Sequence, residues 1–219
     1  MRTMNDDAPR AAAAMQEEIW AARPEGAAPF AFERRREFLL AHVTRGDAVL
    51  DLGSGEGAFT AALAEAGARP IGVDVAEAAL ERARGRHPDL DYRRAAPGEP
   101  LPVDDAAVDV VWASEVLAFV PDTARVLSEV RRVLRPEGAL LVTTPNHGRV
   151  RALVRGLASD LDPLGPALRF YTRASLRTAL EAFGFDAVYV RTAAGPPLLR
   201  ETLLARARRA PLVTPAANR

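Results

Sequence analysis

Apolar residues follow two different patterns along the central part of the chain. Short apolar runs, typical of buried parallel strands, alternate with stretches in which apolar residues recur every three or four positions, as in amphipathic helices. The predicted strands span 48–52, 70–73, 90–94, 108–113 and 139–144. The predicted helices span 59–66, 76–86 and 123–134, the last with Asp122 as its N-cap. This alternation predicts an α/β fold, with a doubly wound, mostly parallel sheet and helices on both faces.

The two ends of the chain follow other patterns. Residues 11–22 and 30–44 read as helices, and in the second of these we expect Phe30, Phe38, Leu39 and Val43 to face inward. Arg34–Arg36 then form a solvated outer face. Toward the other end, residues 148–159 and 172–182 read as helices and 185–192 as a strand. Residues 199–207 favour a final antiparallel strand, although the same run is compatible with a helix.

These patterns divide the chain into segments. We expect a disordered start over residues 1–10 and helices that cap a pocket over 11–46. The main α/β domain spans 47–209 and contains a helical insertion over 148–170, and residues 210–219 are frayed. The apolar residues of the insertion, together with Trp20, Phe30 and Phe32, either form a lid over the pocket or simply extend the core.

Composition narrows the possible chemistry. The formal net charge is zero, so bulk electrostatics give no indication of a nucleic-acid or acidic membrane partner. There is no cysteine, which excludes disulfides and thiolate metal sites, and all 29 basic residues are arginine. No apolar run is long enough to span a membrane, and residues 1–10 lack the apolar core of a signal peptide. We therefore expect a cytoplasmic protein.

A glycine-rich turn follows the first strand. Gly53, Gly55 and Gly57 lie between a strand and a helix, where glycines allow a ligand to approach the backbone and the helix N-terminus favours negative charge. Asp74, about 20 residues further on, ends the second strand and can accept hydrogen bonds from ribose hydroxyls. This pattern predicts a cofactor that contains a nucleoside. It also fits the dinucleotide-binding fingerprint, so it does not show which cofactor of this kind binds.

Further motifs resemble those of the class I S-adenosylmethionine (SAM)-dependent methyltransferases. The first places an acidic residue, here Asp51, two positions before the first glycine. The closest type is the broad small-molecule group, methyltransferase type 11, which includes quinone and natural-product enzymes. The segments that carry the resemblance are Val49–Gly57, Ile71–Val75, Leu101–Val111, Leu134–Leu140, Phe170–Leu176 and Phe183–Phe185. It implies a Rossmann-like, seven-stranded sheet that ends in an antiparallel hairpin, and SAM as the cofactor.

The resemblance also implies a set of cofactor-binding residues. They comprise the acid before the glycines, the loop itself, the ends of the second and fourth strands and the residues after the third: Asp51, Gly53, Ser54, Gly55, Gly57, Asp74, Val75, Ala96, Pro97, Gly98, Ser114 and Glu115. The chain departs from the family at two places. Pro97 stands where an acidic residue usually contacts adenine, and Phe119 stands where a histidine is frequent.

Methyl transfer from a sulfonium mainly needs alignment and a dry pocket, so a general base is useful but not obligatory. Glu115 and His147 are the candidate catalytic residues, whereas we expect no role for His42 or His87 and no metal. The predicted function is methyl transfer to a small-molecule acceptor. Two alternatives remain open: a non-catalytic SAM-binding protein, and a nicotinamide-dependent oxidoreductase. The absence of lysine counts against the short-chain form of the latter.

Overall fold

The computed structural model describes residues 7–147, 168–194 and 201–211. The helices and strands in chain order are α1 (Asp7–Ala22), α2 (Phe32–Leu40), β1 (Ala48–Leu52), α3 (Ala58–Glu65), β2 (Arg69–Asp74), α4 (Glu77–Arg86), β3 (Asp91–Arg94), β4 (Val108–Ser114), α5 (Thr123–Val133), β5 (Leu134–Pro145), α6 (Arg173–Ala182), β6 (Phe185–Ala193) and β7 (Thr202–Arg209). The helix predicted over 148–159 and most of the predicted 148–170 insertion lie outside the described residues.

The strands form a seven-stranded sheet in the order β3-β2-β1-β4-β5-β7-β6. The five strands from β1 to β5 pair in parallel with their neighbours, and β7 runs antiparallel to both β5 and β6. The prediction of a mostly parallel sheet with a final antiparallel hairpin is therefore confirmed. The strand order reverses between β1 and β4, and ligands of such sheets bind at the carboxyl ends of the strands at this point.

Successive residues of the central strands face opposite sides of the sheet, as strand geometry requires. On β1, Val49 packs with helices α2 and α3, whereas Leu50 packs with α5 and α6. On β4, Trp112 lies on the α2–α3 face and Val111 on the other. Both faces of the sheet are thus covered by helices, and Asp51, which shares its face with Val49, is directed toward α3.

Several boundaries differ from the predicted ones. Helix α1 begins at Asp7, so residues 7–10 are helical although we expected disorder there. Helix α2 spans only Phe32–Leu40. Strand β5 begins at Leu134 rather than at residue 139, because the residues between form a bulge: Val108 pairs with Leu134, and Val110 pairs with Ala139. A Cβ on Gly138 would lie 2.9 Å from the Arg135 carbonyl oxygen, so only glycine fits inside this bulge.

The prediction that Arg34–Arg36 form a solvated face is wrong for Arg35. The side chain of Arg34 is exposed, whereas Arg35 is only 3% exposed. The reason is helical geometry, because Arg35 precedes the buried Phe38 and Leu39 by three and four residues and so shares their face. Phe30, which we expected to face inward, precedes the helix and is 54% exposed.

Other local predictions are confirmed. The Asp122 carboxylate accepts a hydrogen bond from the Arg125 amide at 3.0 Å and so caps α5. The run near residue 200 forms β7 rather than a helix. Within the described ranges, no helix is long and apolar enough to cross a membrane.

Candidate cofactor and active site

A cavity of about 980 Å³ opens at the carboxyl ends of β1, β2 and β4. It is lined by most of the predicted cofactor-binding residues: Gly53, Ser54, Gly55, Asp74, Val75, Ala96, Pro97, Gly98, Ser114 and Glu115. Asp51, Gly57 and His147 are not among the lining residues. The opposite side, which we call the N-terminal wall, is formed by residues 9–30 of α1 and the segment that follows it.

The glycine loop is packed between the sheet and this wall. Gly53 and Gly55 have φ values of 75° and 54°, in the left-handed region that favours glycine. A Cβ on Gly53 would lie 2.5 Å from Val116 Cγ2, and one on Gly55 would lie 2.6 Å from the Trp20 ring. The Ser54 hydroxyl is buried beside the cavity and has no hydrogen-bond partner among the described residues. The loop thus presents its backbone and an unsatisfied hydroxyl.

Asp74 lies at the end of β2 and contacts the loop directly. One carboxylate oxygen accepts the Gly55 amide at 2.9 Å, and the other accepts the Ala76 amide at 3.0 Å. Burial raises the pKa of Asp74, although the hydrogen bonds from Ala76 and Gly55 oppose this effect. Each carboxylate oxygen keeps a further lone pair. Asp74 can therefore accept two ligand hydroxyls while it holds the loop in place.

Asp51 has a different environment behind the loop. Its Oδ2 accepts a hydrogen bond from the Thr60 hydroxyl of α3 at 2.6 Å, and its Oδ1 has no partner among the described residues. Burial raises the pKa of Asp51 to about 7, with the Thr60 hydrogen bond acting in the opposite direction. Asp51 therefore supports the junction between β1 and α3, and its role in cofactor binding stays a prediction.

A pair of opposite charges lies at the end of β4, formed by the buried Arg35 and the partly exposed Glu115. The Arg35 Nη1 atom donates to the Ser114 hydroxyl at 2.8 Å and lies 3.7 Å from Glu115 Oε1. The Arg35 Nη2 atom donates to the Phe30 carbonyl, whereas the buried Nε has no partner among the described residues. Both charged residues line the cavity. The sequence reasoning missed Arg35, although its spacing to Phe38 and Leu39 was a usable signal.

Glu115 adopts a left-handed conformation with a φ of 60°. Its amide donates to the Thr143 carbonyl at 2.9 Å, and its carboxylate accepts the Thr143 hydroxyl at 3.0 Å. Burial raises the pKa of Glu115, while the Arg35 charge and the Thr143 hydrogen bond lower it. The carboxylate is thus held firmly at the cavity by β5.

Residues 96–99 form a turn at the other end of the cavity. The Glu99 amide donates to the Ala96 carbonyl at 3.1 Å, and the Arg125 side chain donates to the Gly98 carbonyl. Val75, Leu101 and Val126 provide apolar surface nearby. Pro97 lines the cavity without a polar side chain, as we expected from the sequence. Phe119 also lines the cavity, and an aromatic ring therefore stands at the position where relatives often have a histidine.

The candidate His147 lies outside the cavity lining, and so does His42, for which we expected no role. The His147 ring packs edge-on against Phe170, with 4.7 Å between ring centroids, and its amide donates to the Tyr171 carbonyl. The His42 ring is hydrogen-bonded to the Phe38 carbonyl at 2.7 Å. In the part of the chain that the structure describes, no group of three or more histidines and acidic residues is arranged to hold a metal.

Comparisons with known proteins agree with this architecture. The family model described as a methyltransferase domain matches residues 50–142. A probable S-adenosylmethionine-dependent methyltransferase of Mycolicibacterium smegmatis is 39% identical over 70% of this chain and 58% of its own length. A trans-aconitate 2-methyltransferase of Azoarcus is 40% identical over 54% of this chain and 48% of its own length. The chain thus spans about half the length of these curated relatives.

Solved structures extend the similarity to most of the chain. The crystal structure of a SAM-dependent methyltransferase from Mesorhizobium loti superposes with a TM-score of 0.67 at 26% identity. The match covers 84% of this chain and 99% of the other. Residues 50–142 thus match a methyltransferase domain, and the chain resembles the SAM-dependent methyltransferases over most of its length.

Proposed function

We propose that the protein transfers a methyl group from SAM to a small-molecule acceptor. The observation that carries this proposal is the distribution of charge in the cavity. A carboxylate, Asp74, lies at one end of the glycine loop, and the oppositely charged pair Arg35 and Glu115 lies at the end of β4. SAM has two ribose hydroxyls and a zwitterionic amino-acid group, and these three side chains complement both parts.

Asp74 supports the assignment of the ribose end. Two backbone amides fix its carboxylate, and each oxygen keeps a lone pair that a ribose hydroxyl can use. The tight approach of Val116 and Trp20 leaves no room for a side chain at Gly53 or Gly55. Adenine would lie between Val75 and the turn of residues 96–99, held by apolar contacts and backbone groups rather than by an acidic side chain.

The amino-acid end fits through its two charges. Arg35 is a buried cation whose Nε–H has no partner among the described residues, and a buried charge is stable only when it is paired. A carboxylate at this position supplies that missing partner, and Glu115 is available for an ammonium group. The Ser54 hydroxyl adds a further unsatisfied polar atom on the loop side.

SAM supplies a methyl group on a positively charged sulfur, which is already activated for displacement. The protein therefore has to align the acceptor and exclude water, and the apolar side chains of Phe30, Val116 and Phe119 line the cavity for this purpose. Glu115 is the predicted catalytic residue that lines the cavity, but a carboxylate paired with the ammonium group is a weak base, and this transfer does not require one. His147, the other candidate, does not line the cavity.

A small-molecule acceptor agrees with the dimensions and charge of the site. The cavity volume of about 980 Å³ lies at the upper end of the usual range for small-ligand pockets, so it can hold a cofactor and a modest acceptor. One relative is named for methylation of trans-aconitate, a small carboxylic acid. The zero net charge gives no basis for nucleic-acid binding.

Binding and transfer test the proposal in two steps. Calorimetry on the purified protein should show binding of SAM and S-adenosylhomocysteine (SAH) but none of NADH; binding of NADH alone would overturn the cofactor assignment. Labelled SAM is then incubated with a panel of carboxylic acids, phenols and amines. Transfer to one class supports an enzyme, whereas cofactor binding with no transfer to any class favours a non-catalytic SAM-binding protein.

A further inference from the structure

We infer that Arg82, which does not line the cavity, is a positioning residue that controls cofactor exchange by fastening the N-terminal wall to the glycine loop through Glu56. The inference rests on the proposed function, because it assigns SAM to this cavity. The contacts among Arg82, Arg86, Glu56 and the backbone of residues 21–26 are called the latch below.

Glu56 is the centre of the latch. It lies between Gly55 and Gly57 of the cofactor loop and is only 8% exposed. One carboxylate oxygen accepts the Gly26 amide at 3.0 Å and pairs with Arg86, and the other pairs with Arg82 Nη1 at 3.0 Å. A single side chain of the loop therefore binds both the wall and helix α4.

Arg82 adds a second connection between the same elements. Its Nη1 also donates to the Arg23 carbonyl at 2.9 Å, and its Nη2 donates to the Ala21 carbonyl at 3.4 Å. These carbonyls belong to the C-terminal end of α1, where a cation is favourable for the helix dipole. The Arg82 side chain is 16% exposed, so solvent screens these contacts less than it screens surface ion pairs.

The middle of the wall has its own attachment. Both carboxylate oxygens of Glu17 accept amides at the start of α4, from Glu77 at 2.7 Å and from Ala78 at 2.9 Å. Ala76, the N-cap residue of α4, has no side-chain cap, so Glu17 supplies it. Loss of the latch therefore frees the segment after α1 while Glu17 keeps the helix itself attached, as in a hinge.

The latch contacts join protein groups only, so they oppose access to the cavity and departure from it equally. Residues of the wall, including Pro9, Ala13 and Trp20, form one side of the cavity. Arg82 is not part of the lining, so its replacement removes no side chain that lines the cavity. A variant that weakens only a cofactor contact would speed dissociation alone, whereas opening of the latch should speed association and dissociation together.

The test is stopped-flow binding of SAH, followed by tryptophan fluorescence, since Trp20 lies against Gly55. In Arg82→Gln, we expect both rate constants to rise about ten-fold, a factor that corresponds to about 1.4 kcal/mol, while Kd changes little. Glu56→Gln breaks the latch from the loop side and should accelerate both steps as well. Arg177→Gln, an exposed arginine on α6, is the matched control and should change neither rate.

Hydrogen exchange of residues 23–30, the segment after α1, is measured without ligand and reports the latch independently of cofactor binding. Faster exchange there in Arg82→Gln, with unchanged exchange in the sheet, supports the inference. Unchanged exchange and unchanged rates would overturn it, and so would faster dissociation without faster association. Absence of SAH binding to the unaltered protein would instead contradict the proposed function, and the exchange experiment would still decide whether the latch exists.

Discussion

The two sides of the cavity use charged residues in different ways. On the sheet side, Asp74 ends a strand, and its position follows from the repeat of strand, turn and helix. On the side of the N-terminal helices, Arg35 and Glu17 come from amphipathic helices rich in charge, yet both reach groups of the sheet domain. The comparison shows that helices that resemble solvated caps in sequence contribute buried cations and helix caps to the site.

The difference has a physical origin. A short carboxylate at the end of a strand can reach only its local surroundings, so its function follows from its position. Long side chains such as arginine reach groups several ångströms away, and their burial depends on which elements pack beside them. The Arg35 guanidinium thus reaches Ser114, which lies 79 residues further along the chain.

The largest expected effect is on the free energy of unfolding and concerns Asp51, a residue of β1 that does not line the cavity. Its pKa of about 7 in the folded protein exceeds the ordinary value of 3.8, so the folded state holds the proton more tightly than the unfolded state. The free energy of unfolding should therefore fall as pH rises from about 4 to about 7. Asp51→Asn should reduce this fall by about 3 kcal/mol, measured by urea denaturation across this range.

Asp89→Asn is the control for this experiment, because it removes an exposed carboxylate and should leave the pH dependence of the unfolding free energy unchanged. If the profiles of Asp51→Asn and the unaltered protein run parallel, then Asp51 is not the buried acid that its environment indicates.

A smaller effect is expected at Asp74, and it concerns binding. Asp74→Ala removes the acceptor of two ligand hydroxyls and should weaken SAH binding by about 1–3 kcal/mol. Calorimetry measures the change in SAH affinity, and thermal unfolding of the same sample checks that the variant remains folded without the Asp74 carboxylate. An unchanged affinity in a folded variant would mean that the ribose binds elsewhere.

Arg35 provides the corresponding prediction for the N-terminal side. Arg35→Met keeps much of the buried volume but removes the cation, and SAH affinity should fall by about 1–2 kcal/mol through loss of a charged hydrogen bond. Arg34→Met, one residue away on the exposed face, is the matched control and should bind SAH as the unaltered protein does. Equal affinities of the two variants would contradict a cofactor role for Arg35.

Most of the fold and part of the site could be predicted from the sequence. The strands from β1 to β7 and the glycine loop follow from local apolar patterns and glycine positions, which depend on few neighbours. The extension of β5 to Leu134 was missed, because a bulge next to Asp109 is set by pairing between distant strands. The orientation of Asp51 toward Thr60, by contrast, follows from the alternation along β1 once the covering helices are known.

The charged contacts of the N-terminal helices were the least predictable. Glu56 lies at a variable position between two glycines, and nothing in its immediate sequence indicates that it binds Gly26, Arg82 and Arg86. Arg35 was assigned to solvent because two further arginines surround it. Both errors arise from tertiary contacts that join segments more than 20 residues apart.

The ribose and the amino-acid group of SAM are assigned to two sides of the cavity, and one comparison of ligands tests this assignment most directly. 5′-Methylthioadenosine keeps the ribose and adenine of SAH but lacks its amino-acid group. Calorimetry should show that Asp74→Ala weakens the binding of both ligands, whereas Arg35→Met weakens SAH and leaves 5′-methylthioadenosine unchanged. If both variants weaken both ligands to the same extent, or if Arg35→Met affects neither, the two-ended assignment is contradicted.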